Sequence, residues 1–317
     1  MKIGIIVEME NGTVKDTNFG MITLARKNET ATLTALVLDG VDAACKTALE
    51  QYGINSVADI RLPQADAVRL NPDVRARALV NIAKTLKLNS ILGLSTAEGK
   101  DLIPRVAALI DAPLVMDCMN VDLSKGMVWT SQYSGKVLAD IKLTADVTVM
   151  GIQPNAVAPS PAPGTAELLT MDQTTIVPSG LELVSWDQGA GNAELPSLSE
   201  ADIIVAGGRG VQGKENFQLL FDCAKKLNAA VGASRVAVDE NWIPYAHQVG
   251  QTGEKVSPAI YLALGISGSV QHFAGMKTSG TIIAVNTDEN AAMMANADYY
   301  VNADLFDVLP ELIRQLG

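Results

Sequence analysis

The chain is short of aromatic residues, histidine, cysteine and positive charge, and each shortage excludes a class of function. Aromatics make up only 4% of 317 residues against a hydrophobic fraction of 48%, so the cores must be built from Ala, Val, Leu and Ile. Two histidines, His247 and His272, are too few for a multi-histidine metal site. Cys45, Cys118 and Cys223 lie far apart, without the paired spacing that zinc or an iron–sulfur cluster requires. All three sit among apolar neighbours and read as buried, reduced thiols. The 24 basic residues face 35 acidic ones, a net charge of −11. That balance argues against nucleic acid, whose phosphates need a basic surface, and against docking on an anionic membrane. Long apolar runs are missing too. None approaches the roughly 20 residues that span a bilayer, so no membrane insertion is expected. Residues 3–7 run straight into Glu8 and Glu10 and read as a first strand, not a signal peptide; the expected compartment is cytoplasmic.

What is present is an aliphatic alternation of strand and helix. Strands are expected at 2–7, 32–38, 56–61, 90–94 and 114–121, with helices at 41–52, 72–86 and 101–110. Asn71-Pro72 supplies an N-cap followed by proline at the first helical position. Residues 127–131, 137–143 and 145–152 look like an antiparallel addition around a Ser134-Gly135 turn. Four prolines between 154 and 164 forbid a regular helix or a central strand there. The sequence to Leu198 is mixed and polar, which places a domain boundary near 190 and divides the chain into 1–190 and 191–317. Alternation then resumes with strands at 203–206, 230–233, 259–264 and 281–285, and helices at 216–227 and 304–316. The expected fold class is α/β: two domains, each a mostly parallel sheet flanked by helices, the C-terminal one doubly wound.

In such a sheet, ligands bind beyond the carboxyl ends of the strands. Five of these ends carry unusual residues: 207–210, 232–235, 248–253, 265–272 and 286–288. Gly265-Ile266-Ser267-Gly268-Ser269 follows a strand and opens a helix, where backbone N–H groups can approach a phosphate. It is not the G-x-G-x-x-G fingerprint, so an ordinary NAD site is not supported. Arg209 and Arg235 stand at two adjacent ends in an otherwise acidic domain.

The runs GGRG (207–210), VGASR (231–235), QVGQTG (248–253), GISGSVQHFAGM (265–276) and ADLFDVLP (303–310) resemble, in order and spacing, the C-terminal domain of electron transfer flavoprotein alpha subunits. GKDLIPRVAA (99–108) and YSGK (133–136) agree more loosely with the family's first domain. The resemblance implies an FAD-binding alpha subunit that pairs with a smaller beta subunit as a heterodimer, the first domain contacting that partner. It implies an electron carrier, rather than an enzyme by itself, that accepts electrons from dehydrogenases and passes them to an acceptor oxidoreductase. FAD contacts are assigned by the resemblance to Arg209, Ser234, Val249, Gly250, Gln251, Thr252, Ser267, Gly268, Ser269, Val270, Gln271, His272, Asn286, Asp304 and Leu305. Arg235 matches the cation beside the isoalloxazine, and Gln248 opens the same loop.

On this reading the 267–268 turn holds the pyrophosphate, and Asn286 and Asp304 bond the adenosine end. Thr252 meets the flavin N5 edge, while His272 and Arg235 supply donors where charge gathers on reduction. The plainer roles stay open: Thr252 as a turn residue, His272 as a satisfied helix histidine, Asp304 as an N-cap. Two departures from the family stand out. Gln153-Pro154 replaces the usual arginine before proline, which bears on a partner or second-cofactor contact. The last strand, Tyr299-Tyr300-Val301-Asn302, is bulkier than the usual version. Two rival functions remain: an alpha subunit of an electron-bifurcating complex that oxidises NADH with a second FAD on the beta subunit, and an adenine-nucleotide-binding regulatory module.

Overall fold

The computed structural model describes residues 1–10, 12–38, 40–63, 70–133, 137–173, 179–185 and 195–317. Contacts divide the chain into two compact units, Met1–Ser131 with Leu138–Asp187, and Gln132–Val137 with Gln188–Gly317. The first unit contains β1 (Lys2–Ile6), β2 (Met9–Glu10), β3 (Thr13–Val14), α1 (Thr17–Arg26), β4 (Thr32–Val37), α2 (Ala43–Glu50) and β5 (Ser56–Arg61). There follow α3 (Pro72–Leu86), β6 (Ser90–Leu94), α4 (Ala97–Ile110), β7 (Leu114–Asp122), β8 (Met127–Gln132), β9 (Val137–Lys142), β10 (Thr148–Ile152) and β11 (Glu167–Asp172). Nine of these strands form one sheet in the order β11-β5-β4-β1-β6-β10-β7-β8-β9, parallel from β11 through to β7.

Strand periodicity feeds a core on each face. Ile3 and Ile5 of β1, with Leu33, Ala35 and Val37 of β4, pack under Phe19, Ile22 and Leu49. Ile6, Leu36, Ala58 and Ile60 point the other way, into Leu79, Ile82, Leu102 and Val106. Helix α3 starts as its sequence demands: Asn71 Oδ1 accepts from the backbone N–H of Asp73 at 3.0 Å and of Val74 at 3.3 Å, with Pro72 at the first position. Burial pushes the thiols of Cys45, Cys118 and Cys223 up to about 11, 12 and 11, which keeps them protonated and inert.

Three of the longer elements of the first unit depart from expectation. Helix α1 was not anticipated: Thr17 to Ala25 are all buried, so no polar stripe marks a helical period. Strand β10 does not join the antiparallel addition. It inserts between β6 and β7, parallel to both, and every residue is buried, as a central parallel strand requires. In this part of the sheet β7 and β8 pair antiparallel, with β9 next to β8 at the edge; the Ser134-Gly135 turn lies outside the described residues. The polar stretch after the prolines contains β11, parallel to β5. The proline segment runs as an irregular strap to it. Ala162 and Gly164 donate to the carbonyls of Gln51 and Glu50 at 2.8 and 2.9 Å, and Arg26 reaches the Ser160 carbonyl at 2.8 Å.

The second unit contains β12 (Ile203–Gly207), α5 (Phe217–Leu227), β13 (Ala230–Ala233), α6 (Arg235–Asp239), β14 (Ile260–Leu264), α7 (Val270–Met276), β15 (Thr281–Asn286), α8 (Ala292–Ala295), β16 (Tyr299–Asn302) and α9 (Leu305–Gln315). Its sheet is parallel throughout, in the order β13-β12-β14-β15-β16. Ile204, Ala206, Tyr261 and Ala263 face one core with Met276 and Met293. Val205, Leu262 and Leu264 face the other, under Phe217, Leu220, Leu305 and Leu309.

At the end of β1, Asn18 is a buried cross-brace. Its Oδ1 accepts from Glu8 N at 3.1 Å, and its Nδ2 donates to the carbonyls of Glu8 at 2.9 Å and Lys15 at 2.8 Å. Asn18→Ala leaves the buried Glu8 N–H without its acceptor, while the carbonyls of Glu8 and Lys15 each keep a backbone donor, Lys15 N and Asn18 N. Urea unfolding of the variant should show the first unit weakened by about 1–3 kcal/mol; a change below about 0.5 kcal/mol would contradict the brace.

Candidate cofactor-binding site

In the second unit the chain steps from β12 to β13 on one side, then returns past β12 to β14 on the other. The connections leaving β12 and β14 run to opposite sides, which makes this the topological switch point of an open parallel sheet. A cavity of about 690 Å³ opens there, within the roughly 300–1,000 Å³ usual for cofactor sites. Its floor is backbone on backbone. A β-carbon on Gly210 would lie 2.7 Å from Gly265 Cα, and one on Gly265 would lie 2.7 Å from Gly210 Cα. Gly210 N donates to Gly265 O at 3.0 Å across this contact. One wall is the 248–254 loop laid on α7, with Gln251 N donating to Gln271 O at 2.8 Å and Val256 N to Gly275 O at 2.7 Å.

Polar side chains follow each strand end. Beyond β12 comes exposed Arg209. Beyond β13, Ser234 Oγ is buried without a hydrogen-bond partner. Next to it Arg235 Nε lies 3.2 Å from Asp239 Oδ2, both side chains mostly exposed. In the loop, Gln248 Nε2 donates to Thr252 Oγ1 at 3.1 Å and the Tyr245 hydroxyl donates to the Thr252 carbonyl, so Thr252 is held at side chain and backbone. Beyond β14 stand Ser267, Ser269, Gln271 and His272. Beyond β15, Asn286 Nδ2 donates to Ile266 O at 3.1 Å while its Oδ1 accepts from Asp288 N at 3.1 Å. His272 is 5% exposed, its Nε2 2.9 Å from the Tyr261 hydroxyl. Burial pushes its pKa down to about 4, the Val249 backbone opposing in part. The ring is neutral at pH 7.

Most of the anticipated residues line this one cavity: Arg209, Ser234, Arg235, Gln248, Val249, Gly250, Gln251, Thr252, Ser267, Ser269, Gln271, His272 and Asn286. Four stand elsewhere. Gly268 has φ +81°, and a β-carbon there would strike the Met293 backbone. The glycine lets the loop follow its path beside Met293, and its backbone stays between the cavity-lining Ser267 and Ser269. Val270 is 56% exposed at the start of α7. Asp304 caps α9, accepting from Phe306 N at 2.9 Å, the plainer of its two roles. Leu305 packs its side chain in the core, so a ligand reaching it would meet backbone. The cavity also takes in Asp288, from the 286–288 strand end, and Gln212 and Asp239, which were not anticipated. Asp239 was legible as the i,i+4 partner of Arg235. Gln212, in a left-handed turn at φ 67°, carries no sequence signal.

The arrangement suits an elongated anionic ligand: amide and hydroxyl donors inside, two arginines at the rim. Among the described residues no group of His, Cys, Asp and Glu could hold a metal ion, and no helix is long and apolar enough to cross a membrane. Comparison with known proteins agrees with the geometry. Residues 197–277 match the family model of the electron transfer flavoprotein FAD-binding domain, and residues 3–176 match the electron transfer flavoprotein domain. The electron transfer flavoprotein subunit alpha of Mycobacterium leprae is 36% identical over 312 residues, covering 97% of this chain and 96% of that protein. A probable mitochondrial electron transfer flavoprotein subunit alpha of Caenorhabditis elegans is 33% identical over 315 residues, covering 98% and 92%.

The buried imidazole ties stability to pH. Unfolded, His272 titrates near 6.5; folded, near 4. Between those values the unfolded chain binds the extra proton, so this contribution is complete above about pH 6.5 and is lost as pH falls toward 4. Between pH 7 and 4 the wild type should lose about 3 kcal/mol more unfolding free energy than His272→Gln. Parallel pH profiles for the two proteins would contradict a buried neutral ring.

Proposed function

Because the chain belongs to the electron transfer flavoprotein alpha subunit family, we propose that it carries electrons on an FAD held in the cavity of its second unit, taking them from dehydrogenases and delivering them to an acceptor oxidoreductase. Its partner in that work is a beta subunit, with which it forms a heterodimer through surfaces that include the first domain, 1–190; the FAD domain is 191–317. The observation that carries the reading is a cavity at the switch point whose buried Ser234 hydroxyl lacks a partner, while Thr252 is fixed by two others. A buried hydroxyl without a bond is costly, and a ligand oxygen would repay it.

The residues fit FAD from end to end. Asn286 and the start of α9, with Asp304 and Leu305 backbone, lie toward the adenosine. The backbone of 267–269 and Ser234 serve the diphosphate, with Arg209 neutralising charge from the rim. Thr252, His272 and Arg235 would stand nearest the isoalloxazine, and Gln248 holds the Thr252 hydroxyl. FAD, when bound, supplies the one- and two-electron chemistry that side chains lack. The chain's part is to orient the ring, exclude water from one face and set the local charge. Arg235 is a cation partly balanced by Asp239, so the pair gives the cavity a charge that either substitution changes in a known direction.

Flavin count tests the reading. The co-expressed heterodimer should show a flavin visible spectrum and one FAD per pair. Two FAD per pair would replace simple carriage by bifurcation, and no flavin uptake would leave only a nucleotide-binding module. Charge variants test the site itself. Arg235→Ala should keep FAD but lower its first one-electron potential by roughly 60 mV, a decade in that equilibrium, the effect being limited by solvent. Asp239→Asn should shift it the other way, by less. Identical potentials in all three proteins, measured by stepwise reduction, would remove the pair from the flavin's surroundings.

A further inference from the structure

Tyr261 is the largest fully buried side chain among the described residues. It sits on β14 between Ile204 of β12 and Ile282 of β15, in a core otherwise made of aliphatic and methionine side chains. A hydroxyl is out of place there unless it has a partner. Its partner is His272 Nε2, 2.9 Å away, with the two rings edge to face. The phenol holds one proton, and burial drives its pKa up, so it stays a phenol. With one polar neighbour, it satisfies its donor only by giving that proton to a nitrogen lone pair. Nε2 offers one only when unprotonated, which leaves the imidazole proton on Nδ1. That atom is buried without a well-formed bond; its polar neighbour is the backbone of Val249, in the cavity wall. The opposite tautomer would leave the phenol proton without an acceptor inside the core.

We propose that Tyr261 is a positioning residue for the cofactor site: its hydroxyl donates to His272 Nε2 and fixes the ring as the neutral Nδ1–H tautomer, so the buried Nδ1–H is turned to the Val249 backbone of the cavity wall and no second cation stands behind Arg235. The link to the cofactor rests on the FAD reading; the tautomer does not. A cation at His272 would be buried and poorly screened, unlike exposed Arg235, and would dominate the charge felt by anything in the cavity. Burial keeps the ring neutral, and Tyr261 settles which nitrogen carries its proton, from a position that no ligand touches.

The chain has only two histidines, which makes the test direct. Nitrogen-15 spectra of the histidine-labelled full chain at pH 7, assigned by the signals lost in His272→Gln, report which ring nitrogen bears the proton. Nε2 should appear unprotonated and Nδ1 protonated, with and without FAD. Tyr261→Phe keeps the ring volume but removes the donor; it should displace the Nε2 resonance and shift the potential of bound FAD. A protonated Nε2 in the wild type overturns the proposal, and so does an Nε2 signal unmoved in the variant. If Tyr261→Phe does not fold, the wild-type spectrum still decides. A chain that takes up no FAD but shows the Nδ1–H tautomer would sink the functional reading alone. FAD uptake with a protonated Nε2 would sink this proposal alone.

Discussion

The second unit has a site because backbone lies directly on backbone in two places. At the first, Gly210 touches Gly265 where the chain leaves β12 and β14, and neither residue has room for a β-carbon. At the second, Gly275 of α7 packs on Gly250 of the facing loop. These contacts bring the ends of neighbouring strands within one cavity's width. The residues beside them, Arg209, Ser267, Gln251 and His272, then share one lining despite their separation in sequence. A methyl group at either contact would push the walls apart before it touched any ligand.

Burial then decides the chemistry of that lining. The aliphatic cores on both faces of the sheet keep water from the cavity's inner wall, which lowers the His272 pKa and leaves Ser234 Oγ without a partner. Charge stays at the mouth, where Arg235 and Asp239 are solvated and their mutual attraction is screened. The result is a graded site, neutral donors inside and adjustable charge outside. That gradient suits a protein whose cofactor must be held firmly yet remain reachable by other proteins.

Much of this was legible in the sequence, for reasons that also explain what was not. Parallel strands announce themselves as short apolar runs, and glycine-rich strand ends mark where a ligand lies, so β12 to β15 and most of the lining could be read directly. Helix α1 was hidden because burial on all sides erases the amphipathic period. Strand β10 was misplaced because pairing between β6 and β7 is a long-range choice that local alternation does not encode. Strand β11 looked like loop because its edge position leaves most of it exposed. Tyr261 reads in sequence as one more core residue of β14; only the geometry reveals that its hydroxyl meets His272. The packing of Gly268 on the Met293 backbone is likewise visible only in the structure.

The central claim is that one FAD lies in the switch-point cavity of the second unit. A crystal structure of the flavin-loaded heterodimer tests it most directly. The account predicts the isoalloxazine beside Thr252 and His272, with the diphosphate on the backbone of residues 267–269. An FAD found only on the first unit or on the beta subunit, with this cavity holding solvent, would contradict it.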